Sequence, residues 1–264
     1  MSTSSPDVGA DRARLPEFSL EQQRSVPYDG RFLNPGALVS TPQPMMPLLD
    51  AIGTRRTSRS YAETPVPTDV FEWVVRHAMH SPTACNEQQW KIVLIDDEAI
   101  IKDLYLRGSA SFLKNTRQCF LLCYNRQSDN REWLDHIQSG AAFISTFQLL
   151  AHTIGIGSCW IGHLPNKSEL RRIFGIHRAY EPVALVSFGY YRSRVHLMPR
   201  KHTASRLIMR NEFSTDGLVF ESIRRTFFRT IARWIYYKIP AVFRRKLKPH
   251  TTKFEKKFYY ETFD

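Results

Sequence analysis

The stretch DHIQSGAAFISTFQLLAHTIG, residues 135–155, constrains the fold more than any other part of this chain. It is apolar around most of a helical circumference and too long for a strand. A helix with so little polar face has to be enclosed on several sides. The expectation is therefore a core helix, stopped at Gly155, with the other elements packed around it. WKIVLID (90–96), CFLLCYN (119–125) and EPVALVSFGYY (181–191) read as strands, CFLLCYN as a buried one. Thr68 and Asp69 offer cap oxygens to a helix over VFEWVVRHAMH, in which Val70, Trp73, Val74, His77 and Ala78 share a face. Shorter helices are expected over 46–52, from Asp97 onward, and over NKSELRRIFGI with Ser168 as its cap. Helices and strands mix without strict alternation, which predicts an α+β fold with a mixed sheet.

At 264 residues the chain can bury a substantial core, and one domain with ragged ends is expected. Residues 1–44 are rich in Ser, Pro, Asp and Arg without sustained periodicity and read as an irregular arm. The body is expected over 45–212, and a basic extension over 213–264. Net charge is +12 with a pI near 9.7, so the surface attracts anions: phosphate groups, acidic lipid or nucleic acid. From Gly217 on there are twelve Lys or Arg against four acids, a surplus of eight, so most of the excess sits in the tail. At helical spacing Phe220, Ile223, Phe227, Ile231, Trp234 and Ile235 fall on one side. Arg225, Arg229 and Arg233 fall opposite, Arg224 breaks the pattern, and Pro240 ends the helix. This amphipathic segment fits either packing across a dimer or peripheral contact with anionic membrane. Nucleic acid is disfavoured, since no recognised motif accompanies the charge.

MSTSSPDVGADRAR lacks the apolar core of a signal peptide, and nowhere do 18 apolar residues run together, so a soluble or surface-lying cytoplasmic protein is expected. Four cysteines without zinc spacing read as free thiols in a reducing compartment. His77 and His80 lack a third ligand and read as ordinary partly buried or surface histidines. His152 reads as a hydrogen-bonded packing residue, and His163 as a candidate substrate contact. Glu132 and Asp135 suit the N-terminus of the core helix. No metal site and no Ser-His-Asp arrangement can be assembled from the spacing.

Four stretches carry the functional signal. TRRTSRSY (54–61) gathers three arginines and four serine or threonine hydroxyls in eight positions; by itself it fits a solvated charge run as well as an anion cradle. SPTACNEQQW (81–90) is a polar turn between a helix and a strand, an ordinary loop or a set of hydroxyl and amide groups for the edge of a planar ligand. GIGSCWIG (155–162) is a glycine-rich turn that would let backbone approach something flat, and its context excludes a dinucleotide fingerprint. MPRKHT (198–203) sets a basic pair after the last strand.

Taken in this order, the four stretches resemble the FMN-dependent nitroreductase family over roughly residues 46–208. The resemblance implies a mixed, mainly antiparallel sheet wrapped by helices in an interwoven homodimer with two interfacial flavins. It assigns Arg55, Arg56, Thr57 and Arg59 to the flavin phosphate, Arg59 reaching toward the pyrimidine edge. Arg200 corresponds to a later phosphate ligand assisted by Lys201. Pro82, Thr83, Ala84 and Asn86 match a loop lent to the flavin of the other subunit, and Ile161 and Gly162 match the turn whose backbone amide approaches flavin N5. Thr57 stands for the usual serine, and Gln89 for the usual proline. The activity implied is hydride transfer through N5 between NAD(P)H and an acceptor such as a nitroaromatic, a quinone or a specific metabolite. The alternative expectation is a non-catalytic or tethered binding protein that uses its basic C-terminal helix on anionic membrane or a partner protein.

Overall fold

The computed structural model describes residues 46–127, 130, 132–192, 200, 202–215, 222–240 and 242–247. The expected N-terminal arm and Lys201 lie outside these residues. Four antiparallel strands form one sheet in the order β1-β2-β4-β3: β1 (Trp90–Ile95), β2 (Gln118–Asn125), β3 (Ile156–Ile161) and β4 (Tyr180–Tyr190). The parallel component is a single bridge, Thr57 to Ser158, at the β3 edge. The helices are α1 (Leu48–Thr54), α2 (Thr68–Ala78), α3 (Glu98–Leu106), α4 (Asp135–Thr153), α5 (Lys167–Phe174), α6 (Ala204–Leu207) and α7 (Ile223–Lys238).

Alternation along the strands divides the core between the two sheet faces. On β2, Phe120 and Leu122 meet α2 and α4, where Phe71, Phe143 and Phe147 are buried with Phe188 of β4. Cys119, Leu121 and Cys123 point the other way, onto Ile101, Leu104, Leu113 and Leu170. Rings meet at offset angles on the first face: Phe120–Phe147 at 4.7 Å and Phe71–Phe188 at 5.0 Å. The long apolar helix α4 is the central member of that layer, as its composition requires. A register shift between Leu122 and Cys123 falls opposite Pro182, which has no N–H for the ladder. The residue beside it, Val183, reaches Gly140 of α4, where a Cβ would stand 3.0 Å from the valine methyls.

Several local expectations change in the folded chain. GIGSCWIG is mostly strand: β3 occupies Ile156–Ile161, because pairing with β4 overrides the flexibility of its glycines. Gly155 carries φ 80° and turns the chain from α4 into β3. In α2 the buried face is Val70, Phe71, Val74 and Ala78, while His77 is exposed. Pro67 occupies its N-cap without a side-chain bond, and Asp69 accepts from Val70 N instead. In α5, Asn166 rather than Ser168 is the cap: it accepts from Glu169 N at 2.9 Å and from the Ser168 hydroxyl at 2.6 Å. Cys119, Cys123 and Cys159 are buried free thiols, whereas Cys85 is exposed. Burial pushes the Cys123 thiol up to about 11, so it stays protonated.

The C-terminal segment returns to the body through Arg244, whose side chain is 1% exposed. It donates to Glu169 of α5, to the Arg107 carbonyl at 2.9 Å and to the Ile239 carbonyl at 2.9 Å. Arg245 pairs with Asp103 at 2.7 Å, and Asp103 also holds Arg107. Tyr236 lies against Gly108, where even a Cβ would come within 2.6 Å of its hydroxyl. Arg244→Ala leaves Glu169 buried without its main partner, a loss on the order of 3 kcal/mol. Hydrogen exchange across residues 236–247 should then rise toward free-chain rates while the sheet keeps its protection. Unchanged exchange there would refute the anchoring role of Arg244.

Candidate functional site

Residues 55–62 lie as a strap across the ends of β3 and β4. Ser58 N donates to the Ser158 carbonyl at 3.0 Å and Ala62 N to the Tyr190 carbonyl at 2.9 Å, with a bridge from Tyr61 to Tyr191. The strap fits because two sheet positions have no side chain. A Cβ on Gly157 would stand 2.7 Å from the Tyr191 ring and 2.8 Å from Ser58 Cβ, and one on Gly189 would stand 2.8 Å from Tyr61 Cβ. The Tyr61 hydroxyl donates to the Ser58 carbonyl at 2.7 Å and also meets Ser187 Oγ at 2.8 Å. Burial raises its pKa well above the usual tyrosine value. The strap thus delivers Arg55, Arg56, Thr57 and Arg59 to the place where α4 ends and β3 begins.

Beneath the arginines lies a neutral polar chain. Thr54 Oγ1 donates to the Asp50 carbonyl, so it accepts from His152 Nε2 at 2.9 Å. That leaves His152 Nδ1 to accept from the Tyr191 hydroxyl at 2.8 Å. Burial first, then the charges of Arg55 and Arg56, push the His152 pKa down to about 4. The imidazole therefore stays uncharged and acts as a fixed support between α1, α4 and the strap. Arg56 is largely buried and donates to the Arg55 carbonyl at 3.1 Å. Arg55 is half-buried, and among the described residues no carboxylate pairs with it. A guanidinium held this way, next to a second cation and a hydroxyl, suits an anionic group.

The other expected residues are spread along α4. The loop at 81–90 sits at its N-terminal part, where Ala84 N donates to Ser139 Oγ at 3.1 Å. Ser139 and His152 are thirteen residues apart, about 20 Å along a helix. Pro82, Thr83, Ala84 and Asn86 are thus not brought to the arginines within one chain. Cys85, Asn86 and Gln88 have φ of 49°, 55° and 53°, a run of left-handed non-glycine backbone of the kind found in ligand-contacting loops. Ile161 and Gly162 close β3, four residues and about 13 Å from Ser158. Ile161 is buried, whereas a Cβ on Gly162 would meet nothing within 4 Å. Of the glycines expected to admit a flat ligand, Gly157 admits the strap instead, and Gly162 is the open one. Exposed Trp160 stands just before it on the β3 edge. Arg200 is exposed, and no described contact ties it to the strap. The His163 ring faces Tyr236 of the C-terminal segment at 6.3 Å, a contact no local pattern announces.

The family model described as the nitroreductase family matches residues 52–143 and 108–190, a span that contains the strap, the loop, α4 and all four strands. The chain belongs to the nitroreductase family. A relative named "Putative NADH dehydrogenase/NAD(P)H nitroreductase" from Archaeoglobus fulgidus is 27% identical over 146 residues, 54% of this chain and 84% of the relative. A protein named CR(VI) reductase from a Pseudomonas species is 22% identical over 175 residues, 60% of this chain and 72% of that one. Among solved structures, an FMN-dependent nitroreductase from Clostridium difficile superposes with a TM-score of 0.53 at 22% identity, covering 60% of this chain and 96% of the other. NfrA2 of B. megaterium gives a TM-score of 0.59 at 16% identity, covering 72% and 83%. These structures share the fold of the nitroreductase body found here. No metal-binding cluster and no helix long and apolar enough to cross a membrane occurs among the described residues.

The depressed pKa of His152 gives a pH signature. An unfolded histidine titrates near 6.5, so between about pH 4 and 6.5 the unfolded chain binds a proton that the native one refuses. The stability due to neutral His152 is complete above about pH 6.5 and is lost as pH falls toward about 4, in total about 3 kcal/mol. Denaturant unfolding across that window should show a slope in the parent that His152→Asn flattens. Parallel curves would mean that His152 is not the titrating group.

Proposed function

We propose that this nitroreductase-family chain is an FMN-dependent oxidoreductase of the NAD(P)H-linked kind, working as a homodimer. The observation that carries the proposal is the strap: Arg55, Arg56, Thr57 and Arg59 gathered over a neutral histidine, with open backbone at Gly162 farther along the same strand. Arg55 without a carboxylate partner, and Gly162 with free space where a side chain would stand, suit a phosphoester at one end of a ligand and a flat ring at the other. The chemistry that FMN would supply when bound is two-electron hydride transfer, through N5, between NAD(P)H and an electron-poor acceptor such as a nitroaromatic, a quinone or a specific metabolite.

The chain's own groups would hold and orient that cofactor. Arg55 and Arg56 supply charge to the phosphate, Thr57 a hydroxyl donor, and Arg59 positive charge near the pyrimidine edge. Arg200 and Lys201 would add later contacts to the phosphate. Ile161 and Gly162 offer main chain to the ring. Pro82, Thr83, Ala84 and Asn86 stand about 20 Å along α4 from His152, so their contribution is assigned to the flavin of the partner subunit. The residue types present need no acid–base pair, because positioning, charge and exclusion of water are what the protein would supply. A second reading, peripheral contact of the basic C-terminal segment with anionic membrane, is favoured by the outward-facing apolar side of α7.

Purified parent protein should show a flavin absorbance band, and Arg55→Ala should weaken FMN binding by about tenfold to a hundredfold, the worth of one charged hydrogen bond. Equal flavin retention by parent and variant after dialysis would rule out the phosphate role. No flavin retained by the parent protein after saturation with FMN and removal of the free cofactor would rule out the class.

A further inference from the structure

Arg233 aside, every residue of the C-terminal helix from Ser222 to Ile235 is exposed, including Ile223 at 87%, Phe228 at 68% and Trp234 at 62%. At about 100° per residue, Ile223, Phe227, Phe228, Ile231, Trp234 and Ile235 form a stripe about 140° wide, interrupted by Arg224 near its middle and by Lys238 at its C-terminal end. Tyr236, through which the helix meets Gly108 and His163, stands roughly opposite the centre of that stripe. Docking of the helix end therefore turns the apolar stripe away from the body. Six large apolar side chains on one face, on a 16-residue helix that is marginal in water without a packing partner, mark an interaction surface.

Charge selects the occupant. Residues 223–247 contain eight Lys or Arg and no acid. Laying the same helix of a second copy on this one would bring like charges together, whereas an anionic surface neutralises them. An apolar stripe backed by an arginine face is the pattern that lies in a bilayer interface. The helical segment at 242–247 extends it: Val242 and Phe243 are exposed beside exposed Lys246, while Arg245 pairs with Asp103. Arg244 is excluded from that surface, since it is buried on Glu169. It instead ties the helix to α5.

We propose that α7 and the helical segment at 242–247 form a peripheral docking surface for an anionic lipid bilayer, tied to the body by the Arg244–Glu169 pair. The proposal is independent of the flavin chemistry, and its test reads the two separately. Full-length protein is floated with vesicles of phosphatidylcholine alone or with added phosphatidylglycerol, at low and high salt, beside the Phe227→Ser/Trp234→Ser variant. Circular dichroism and light scattering check helix content and oligomeric state, and flavin absorbance is followed alongside. The parent should bind the anionic vesicles at least about tenfold more tightly than the neutral ones and lose that binding at high salt, since each basic residue near the surface contributes. The double variant should lose binding while its flavin content and oligomeric state stay at parental values. Equal binding to both vesicle types, no binding by the parent, or parental binding by the variant would overturn the proposal. So would a variant that changes oligomeric state, because the stripe would then be a subunit interface.

Discussion

The contact on which the site depends is the close approach of the strap at residues 57–62 to Gly157 and Gly189. A hydrogen is all that fits at either sheet position, because Ser58, Tyr61 and Tyr191 already occupy the space a Cβ would need. The backbone bonds from Ser58 and Ala62 then set the register, and the register decides which side chains face the end of α4. Arginines on a free loop would scatter; here they stand on a segment pinned at both ends to β3 and β4. This is how a short basic run acquires a fixed position rather than remaining a solvated patch.

The electrostatics follow from that placement. Burial penalises a charge on the imidazole, and the Arg55 and Arg56 guanidinium groups beside it add repulsion, so His152 remains neutral and satisfies both ring nitrogens locally. Positive potential is thereby concentrated at the strap and is not shared with the core. The strained loop at 85–88 lies at the other end of α4, and the open Gly162 lies along β3 from the strap. A ligand long enough to run from the strap to Gly162, between charge at one end and bare backbone at the other, matches this layout.

The C-terminal segment spends its charge differently. Arg244 and Arg245 are used within the fold, on Glu169 and Asp103, and these pairs hold the helix end beside His163. Arg224, Arg225, Arg229 and Lys238 of α7 are exposed instead, on a helix that also exposes aromatic side chains. Anchored at one end and open along its length, the segment looks outward rather than toward the core.

The sequence by itself determined the elements whose signal is local. The apolar circumference of 135–155 required an enclosed helix, the runs at 90–96, 119–125 and 181–191 read as strands, and four ordered stretches pointed to the family. Its misreadings arose where local and long-range preferences compete. GIGSCWIG carries the residues of a turn, yet β4 offers it a complete ladder and it pairs as a strand. Ser168 is a good cap by composition, but Asn166 reaches the same backbone donor first. Only the tertiary structure decided that Gly157 receives Ser58 and Tyr191, that His152 is held between Thr54 and Tyr191, and that Arg244 is buried on a glutamate 75 residues away. The physical reason is common to all three. Each depends on a contact between residues distant in the chain, and spacing along a sequence records periodicity but not which distant surface the fold will bring near.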